Sequence, residues 1–241
     1  ACEPCLRGRI NLCEALQAIG IARDGGFAEL VAIPSHRALP LPESLGLREA
    51  ALAEPLACCV HAADVAAIRP GERALVVGGG VIGLLALQLA RLAGAETAML
   101  TRSPARQALA SEVGAHHVAD RPGEVRRFWP RGADVVLECA GTAETVAEAP
   151  GLAARGGRVV VLGVLARGAR VAIEPFDLLM REVDLRMAFV NPFTQGRALG
   201  LLASGAVRAG PLITREVALE EVPAIVAASP GPAEVKVLAS A

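Results

Sequence analysis

Between residues 70 and 190, short apolar runs alternate with stretches whose apolar positions recur at helical spacing. The runs are ALVV at 74–77, TAML at 97–100, DVVLE at 134–138, VVVL at 159–162 and DLRMAFV at 184–190, with a weaker one at His116 to Val118. Such runs predict strands. The longest helical pattern, VIGLLALQLARLAG, follows the first run directly. Alternation of the two periods predicts βαβ units and a parallel sheet of about six strands. Punctuation agrees: Pro70-Gly71 precedes the first run, Gly94 and Gly114 close helices, and Gly156-Gly157 turns into the strand near Arg158. Outside this region the pattern changes. Residues 1–55 contain Pro34, Pro40 and Pro42 and the segment FAELVAIP, which predicts short strands and loops. Residues 192–241 hold two amphipathic helix patterns, RALGLLASG and LEEVPAIVAAS, and a final short strand, VKVLA.

Composition narrows the partners. The chain has 241 residues, 53% hydrophobic but only 2% aromatic and without Tyr, so an aliphatic α/β core must carry the packing. Its net charge is -1 and charged residues form no long block, which points away from nucleic acid and anionic membranes and toward a small-molecule partner. Gln88 and Arg91 interrupt the longest apolar stretch, so no membrane span of ~20 residues is expected. No signal-peptide pattern is read, and a cytoplasmic location is expected. Of six cysteines, three lie within the first thirteen positions, a pattern that suits reduced thiols and a metal better than a disulfide framework.

The sequence Gly78-x-Gly80-x-x-Gly83 sits between the first strand and its helix, which begins at Val81 and Ile82. A dinucleotide site needs glycine there for three reasons: a sharp turn at Gly78, backbone approach to a pyrophosphate at Gly80, and close helix packing at Gly83. The phosphates would rest on the helix N-terminus. With 25 glycines in the chain, the alternative is a glycine-rich turn that binds nothing.

CEPCLRGRINLC at 2–13, GGFAELVAIP at 25–34, EPLACCVHA at 54–62, RPGERALVVGGGVIGLLALQLARLAGA at 69–95 and PLIT at 211–214 occur in one order. Together they resemble the zinc-containing medium-chain alcohol and polyol dehydrogenases, including the sorbitol and threonine types. The resemblance implies a Rossmann domain, a doubly wound parallel sheet at 56–191, inserted into a GroES-like catalytic domain that is partial here and contributes 1–55 and 192–241. It also implies that the chain begins late, about a hundred residues into the family pattern, beyond a Cys and a His-Glu pair that hold a catalytic zinc. Cys2, Cys5 and Cys13 match the last three of four cysteines that hold a structural zinc in the family; the alternative is three unpaired surface thiols. Glu54 matches a carboxylate or water-linked partner of the catalytic zinc; alternatively it caps the helix that begins near Pro55. Cys58 and Cys59 read as helix-packing residues, His61 as packed or solvated, and His116 and His117 as strand-edge residues.

In the family pattern an acidic residue after the second strand holds the NAD ribose, and here Thr101 takes that position, followed by Arg102 and, one helical turn on, Arg106. A 2'-phosphate is repelled by carboxylate and held by guanidinium, so NADP is favoured over NAD. The alternative is a solvated arginine pair. Cys139-Ala140-Gly141 and Leu162-Gly163-Val164 match strand ends that line the cofactor cleft. By resemblance, zinc polarises the substrate oxygen while hydride passes between nicotinamide and a secondary alcohol, polyol or sugar. The 241 residues alone are expected to bind nucleotide but to turn over alcohol poorly. Pairing through residues 185–190 would make a homodimer or homotetramer. The rival readings are a zinc-independent quinone-reductase-like enzyme and a non-catalytic nucleotide-binding module.

Overall fold

The computed structural model describes residues 2–228, 231 and 233–240. The chain opens with α1 (Glu3–Leu6), α2 (Leu47–Ala50) and α3 (Ala53–Ala66). Alternation then begins: β1 (Arg73–Val77), α4 (Val81–Leu92), β2 (Glu96–Leu100), α5 (Pro104–Glu112), β3 (His117–Ala119) and α6 (Pro122–Phe128). It continues with β4 (Ala133–Glu138), α7 (Ala143–Leu152), β5 (Ala153–Val161), α8 (Pro175–Arg181) and β6 (Asp184–Met187). Last come α9 (Gln195–Ala203), β7 (Ile213–Ala218), α10 (Val222–Ala227) and β8 (Lys236–Ser240). Strands β1 to β6 form one parallel sheet in the order β3-β2-β1-β4-β5-β6, the doubly wound arrangement the alternation predicts.

The sheet is apolar on both faces because both are covered. Along β1, Ala74 and Val76 join one buried cluster with Leu56 and Val60 of α3, Leu84 and Leu87 of α4, and Leu202 of α9. Leu75 and Val77 join the opposite cluster with Val125 of α6 and Val146, Ala149 and Leu152 of α7. Period-two side chains thus supply two cores at once. Gln88 is buried among them with its amide satisfied: Nε2 donates to the carbonyls of Leu84 and Arg208, and Oε1 accepts from Arg208 N at 2.7 Å.

Charged side chains brace the edge where the strands begin. Arg158 donates to the Ala66 and Ala67 carbonyls at the C-terminus of α3 and makes a bidentate pair with Glu72 at 3.0 and 2.6 Å. Arg186 adds a bond to the Val65 carbonyl at 2.9 Å, so two cations meet the negative end of one helix. Arg73 pairs with Asp134 at 2.9 and 2.7 Å. The Arg158 guanidinium holds the Glu72 carboxyl below its ordinary range, and Arg73 does the same for Asp134. Depressed carboxyl values stabilise the fold above the unfolded range near pH ~4 and lose that contribution as pH falls through the folded values. Urea midpoints are therefore expected to drop as pH goes from 6 toward 3. Arg158→Met should cost about 3 kcal/mol at pH 7 and flatten that drop; an unchanged midpoint would remove the brace from the account.

Three expectations need correction. FAELVAIP forms no strand and pairs with no described segment, and with Phe27 and Leu30 exposed its alternating apolar side chains have no packed layer to settle on. The last strand of the large sheet ends at Met187 instead of Val190. Ala188 N still bonds the Val161 carbonyl, but Val190 enters the left-handed region at φ 58° and the chain turns away. LEEVPAIVAAS divides into a 3-10 turn at Leu219–Glu221 and α10, and its Ser229 lies outside the described residues. The final strand is present as β8, paired in parallel with β7, which the apolar pattern does not single out. No helix among the described residues is long and apolar enough to cross a membrane.

Candidate functional site

The turn after β1 separates what the fold needs from what a ligand needs. Gly78 has φ 105°, and a Cβ there would lie 2.8 Å from Ala140 N. A Cβ on Gly83 would lie 1.8 Å from the Gly78 carbonyl oxygen, an overlap no packing change absorbs. Both glycines are therefore demanded by the chain itself. Gly80 is different: its backbone is ordinary, at φ -77° and ψ -178°, and a Cβ would meet nothing within 4 Å. It stands at the N-cap of α4 with no side chain among the described residues capping the helix, so the first backbone N–H groups of α4 lack a side-chain acceptor there. Val81 and Ile82 begin the helix and pack against the core, and the Ile82 carbonyl lies 3.4 Å from the Cys59 sulfur. An uncapped N-terminus beside an open glycine, at the point where strand order reverses between β1 and β4, has the geometry that suits an anion.

After β2 the chain turns at Thr101, which is nearly buried and whose carbonyl accepts from Gln107 Nε2 at 2.8 Å. A Cβ on Gly79 would lie 2.8 Å from Thr101 Oγ1 and 3.0 Å from Arg106 Cβ, so the middle glycine, passed over in the motif, lets the two turns meet. Of the two arginines, Arg102 is exposed and Arg106 is half-buried. Arg106 donates from Nη2 to the Glu234 carbonyl at 3.1 Å, while its buried Nε has no partner among the described residues.

The ends of β4 and β5 are stitched together. Leu162 N and Gly163 N both donate to the Glu138 carbonyl, at 2.8 and 3.0 Å, and Cys139 N donates to the Val77 carbonyl at 2.8 Å. A Cβ on Gly163 would lie 2.2 Å from Gly141 N, so small residues are required where these turns touch. Ala140 packs against Gly78, and Val164 is 87% exposed at the rim. Burial, and then the charge of Glu138, pushes the Cys139 thiol up. Glu138 is fully buried and was legible only as the end of a strand run.

Cys2, Cys5 and Cys13 come together although the sequence separates them. The Cys2 sulfur lies 3.6 Å from that of Cys5 and 3.9 Å from that of Cys13, and the three donors fall within 4.8 Å of one another. Tetrahedral zinc with Zn–S near 2.3 Å places its sulfurs about 3.8 Å apart, so the donor set fits. The Glu14 backbone amide brings Cys2 down to about 7, and hydrogen bonding with Cys13 and Cys2 raises Cys5 to about 11. Asn11, buried just before Cys13, docks the loop by donating to the Phe189 carbonyl at 2.7 Å. Cobalt(II) added to the reduced chain is expected to give a thiolate charge-transfer band. Loss of an outer-sphere partner alone costs 10–100-fold in affinity, so Cys13→Ser should weaken binding by at least about ten-fold. No band in the unaltered chain would leave three surface thiols.

Glu54 lies in the first turn of α3 and is not its cap; Leu52 holds that position without a side-chain bond. Its Oε1 accepts from Asn191 Nδ2 at 2.8 Å and lies 3.4 Å from the Cys58 sulfur, and Asn191 also reaches that sulfur at 3.4 Å. Burial first and Glu54 second raise Cys58 to about 12. Cys58 and Cys59 pack in α3 as expected. Asn191, which the sequence reading did not weigh as a site residue, is what joins Glu54 to the segment after β6. Glu54 is not part of the three-thiol group, and no histidine joins either. His116 Nδ1 lies 2.9 Å from both Thr97 N and Thr97 Oγ1, and His117 meets Glu96 at 2.7 Å and stacks on Phe128. His61 is half-buried, and burial lowers its pKa.

Comparison with known proteins agrees with this geometry. Residues 81–203 match the family model for zinc-binding dehydrogenases. D-arabinitol dehydrogenase 1 of Uromyces fabae is 30% identical over 230 residues, covering 91% of this chain and 66% of that protein. Sorbitol dehydrogenase of Bacillus subtilis is 31% identical, covering 91% and 64%. The chain thus spans just under two thirds of the length of these curated relatives. A solved structure from Sinorhizobium meliloti 1021, described as a zinc-binding dehydrogenase bound to NADP, superposes with a TM-score of 0.95 at 46% identity, over 100% of this chain and 73% of that one. The chain belongs to the zinc-binding dehydrogenase family.

Proposed function

We propose that the complete protein is a zinc-dependent oxidoreductase that transfers hydride between NADP and the CH–OH group of a secondary alcohol, polyol or sugar-like substrate. The observation that carries this reading is Gly80, open above and set on the uncapped N-terminus of α4 at the sheet's switch point. The family's polyol-directed members and the NADP-bound neighbour support it. When bound, the nicotinamide supplies hydride chemistry and a zinc ion supplies Lewis acidity at the substrate oxygen.

This chain's residues would do the rest. Gly78, Gly80, Gly83 and the first amides of α4 would hold the pyrophosphate, with Val81 and Ile82 fixing the helix beneath it. Thr101 carries no charge to repel a 2'-phosphate, and Arg106, whose buried Nε has no partner among the described residues, would hold it together with the exposed Arg102. Cys139, Ala140, Leu162, Gly163 and Val164 would line the nicotinamide half of the crevice. Cys2, Cys5 and Cys13 would hold a structural zinc, and Glu54, positioned by Asn191, would serve the catalytic one. On this reading residues 1–55 and 192–241 belong to a GroES-like catalytic domain and 56–191 to the Rossmann domain. The free cysteines suit a reducing cytoplasm. Edge strand β6, unpaired on its outer side among the described residues and followed by exposed Phe189, would pair with a second copy in a homodimer or homotetramer.

The test is titration of the chain with NADPH and NADH, read by nucleotide fluorescence. Tighter NADPH binding is expected; binding of neither would overturn the reading and favour a structural module.

A further inference from the structure

Glu138 ends β4 with its side chain fully buried. Its Oε1 accepts three donors: Ala140 N at 2.8 Å, Gly141 N at 2.9 Å and Thr145 Oγ1 at 2.8 Å. Its Oε2, equally buried, has no partner among the described residues and lies 2.6 Å from where a Gly163 Cβ would stand. Among the described residues no cation pairs with Glu138. A buried acid with one oxygen saturated and the other left bare among the described residues is costly, and the three donors to Oε1 offset that cost only in part.

The position of this acid gives it a use. On the reading proposed above, adenosine lies toward the end of β2 and the pyrophosphate on α4, so the nicotinamide falls across the ends of β4 and β5. Those ends are the turns Glu138 holds. Drawing the amides of Ala140 and Gly141 inward has a second effect, because in a trans peptide the carbonyl points opposite to its N–H. The carbonyls of Cys139 and Ala140 therefore point away from the buried carboxylate. On this reading one half of the crevice would present N–H donors at the start of α4, and the other would present carbonyl oxygens backed by a carboxylate.

We infer that Glu138 is a specificity-determining residue for the redox state of the cofactor: with the peptides it orients, it makes the nicotinamide end electronegative and favours the cationic oxidised ring over the neutral reduced one. This inference rests on the dinucleotide-binding reading. It acts through field and through backbone, so Glu138 is a positioning residue and touches no reacting atom.

The experiment measures dissociation constants for NADP⁺ and NADPH on the full chain and on Glu138→Gln. Gln keeps the shape and one carbonyl acceptor but removes the charge. The ratio of NADP⁺ affinity to NADPH affinity should fall about five- to ten-fold, the effect of one unit charge acting from several ångström in a partly buried site. A merely structural role would weaken both forms by the same factor, and that result would overturn the inference. Thr145→Lys, which brings an ammonium to the same carboxylate from α7, should move the ratio in the same direction and serves if Glu138→Gln does not fold. An unmoved ratio in a folded Thr145→Lys variant would likewise overturn it. Binding of neither nucleotide to the unaltered chain would bring down the dinucleotide reading itself, and the inference with it.

Discussion

Gly83→Ala is expected to destabilise the chain by roughly 3 kcal/mol or more and to abolish nucleotide binding, whereas Gly80→Ala should abolish or sharply weaken binding at nearly unchanged stability. The contrast follows from where each new methyl goes. At Gly83 it would lie 1.8 Å from the Gly78 oxygen, so either the turn opens or α4 retreats from β1. Retreat would pull Leu84, Leu85 and Leu87, all fully buried, out of register with the sheet. At Gly80 the methyl enters empty space on a backbone any residue adopts, and a modest gain in unfolded-state rigidity offsets whatever helix-end change it brings. Only an incoming phosphate would meet it. Urea midpoints and NADPH titrations on both variants decide the matter; a Gly80→Ala protein that binds NADPH like the unaltered chain would remove the phosphate from that position.

Thr101→Asp combined with Arg106→Ala should invert nucleotide preference. A carboxylate at the end of β2 accepts hydrogen bonds from both ribose hydroxyls and repels a 2'-phosphate. Losing a charge-assisted bond from Arg106 costs about 1.5–3 kcal/mol, or roughly 10–100-fold in NADPH affinity, with NADH affected little. Arg102→Leu should cost less, because Arg102 is exposed and its charge is screened. Equal losses for NADPH and NADH in the Arg106 variant would make Arg106 a brace for the Glu234 carbonyl and nothing more. The Thr101 side chain packs near Gly79, so circular dichroism of each variant accompanies the titration.

The Rossmann sheet was legible because its signals are local and redundant. Apolar runs bounded by Gly and Pro located the strands of the large sheet, although β5 begins at Ala153 and runs through Gly156 and Gly157, well ahead of VVVL at 159–162; the strand-turn-helix context gave the glycine turn its place. What escaped reading depends on partners far away in the sequence. FAELVAIP alternates like a strand, yet a strand exists only against a neighbour. The halt of β6 at Met187 depends on a left-handed Val190, a conformation no periodicity reveals in a β-branched residue. Glu138 was hidden for a similar reason: as the last residue of DVVLE it looks like polar punctuation, and only the convergence of Ala140, Gly141 and Thr145 gives it a role. Asn191 was hidden because its partner, Glu54, lies 137 positions away. Among the candidate site residues, the spacing of the glycines picked out the turn, and the family resemblance picked out the cysteines. Burial alone told Arg106 from Arg102.

Parallel pairing gives the sheet two unlike rims. At the rim where strands begin, Arg158, Glu72, Arg73, Asp134 and Arg186 spend their charges on one another and on the end of α3. At the rim where strands end, Glu138 Oε2 and Arg106 Nε have no partner among the described residues. Because the two rims lie a full strand length apart and share few side chains, substitutions that adjust robustness can accumulate at the first without retuning the second. On the dinucleotide-binding reading, the layout lets stability and ligand choice vary separately on one small sheet.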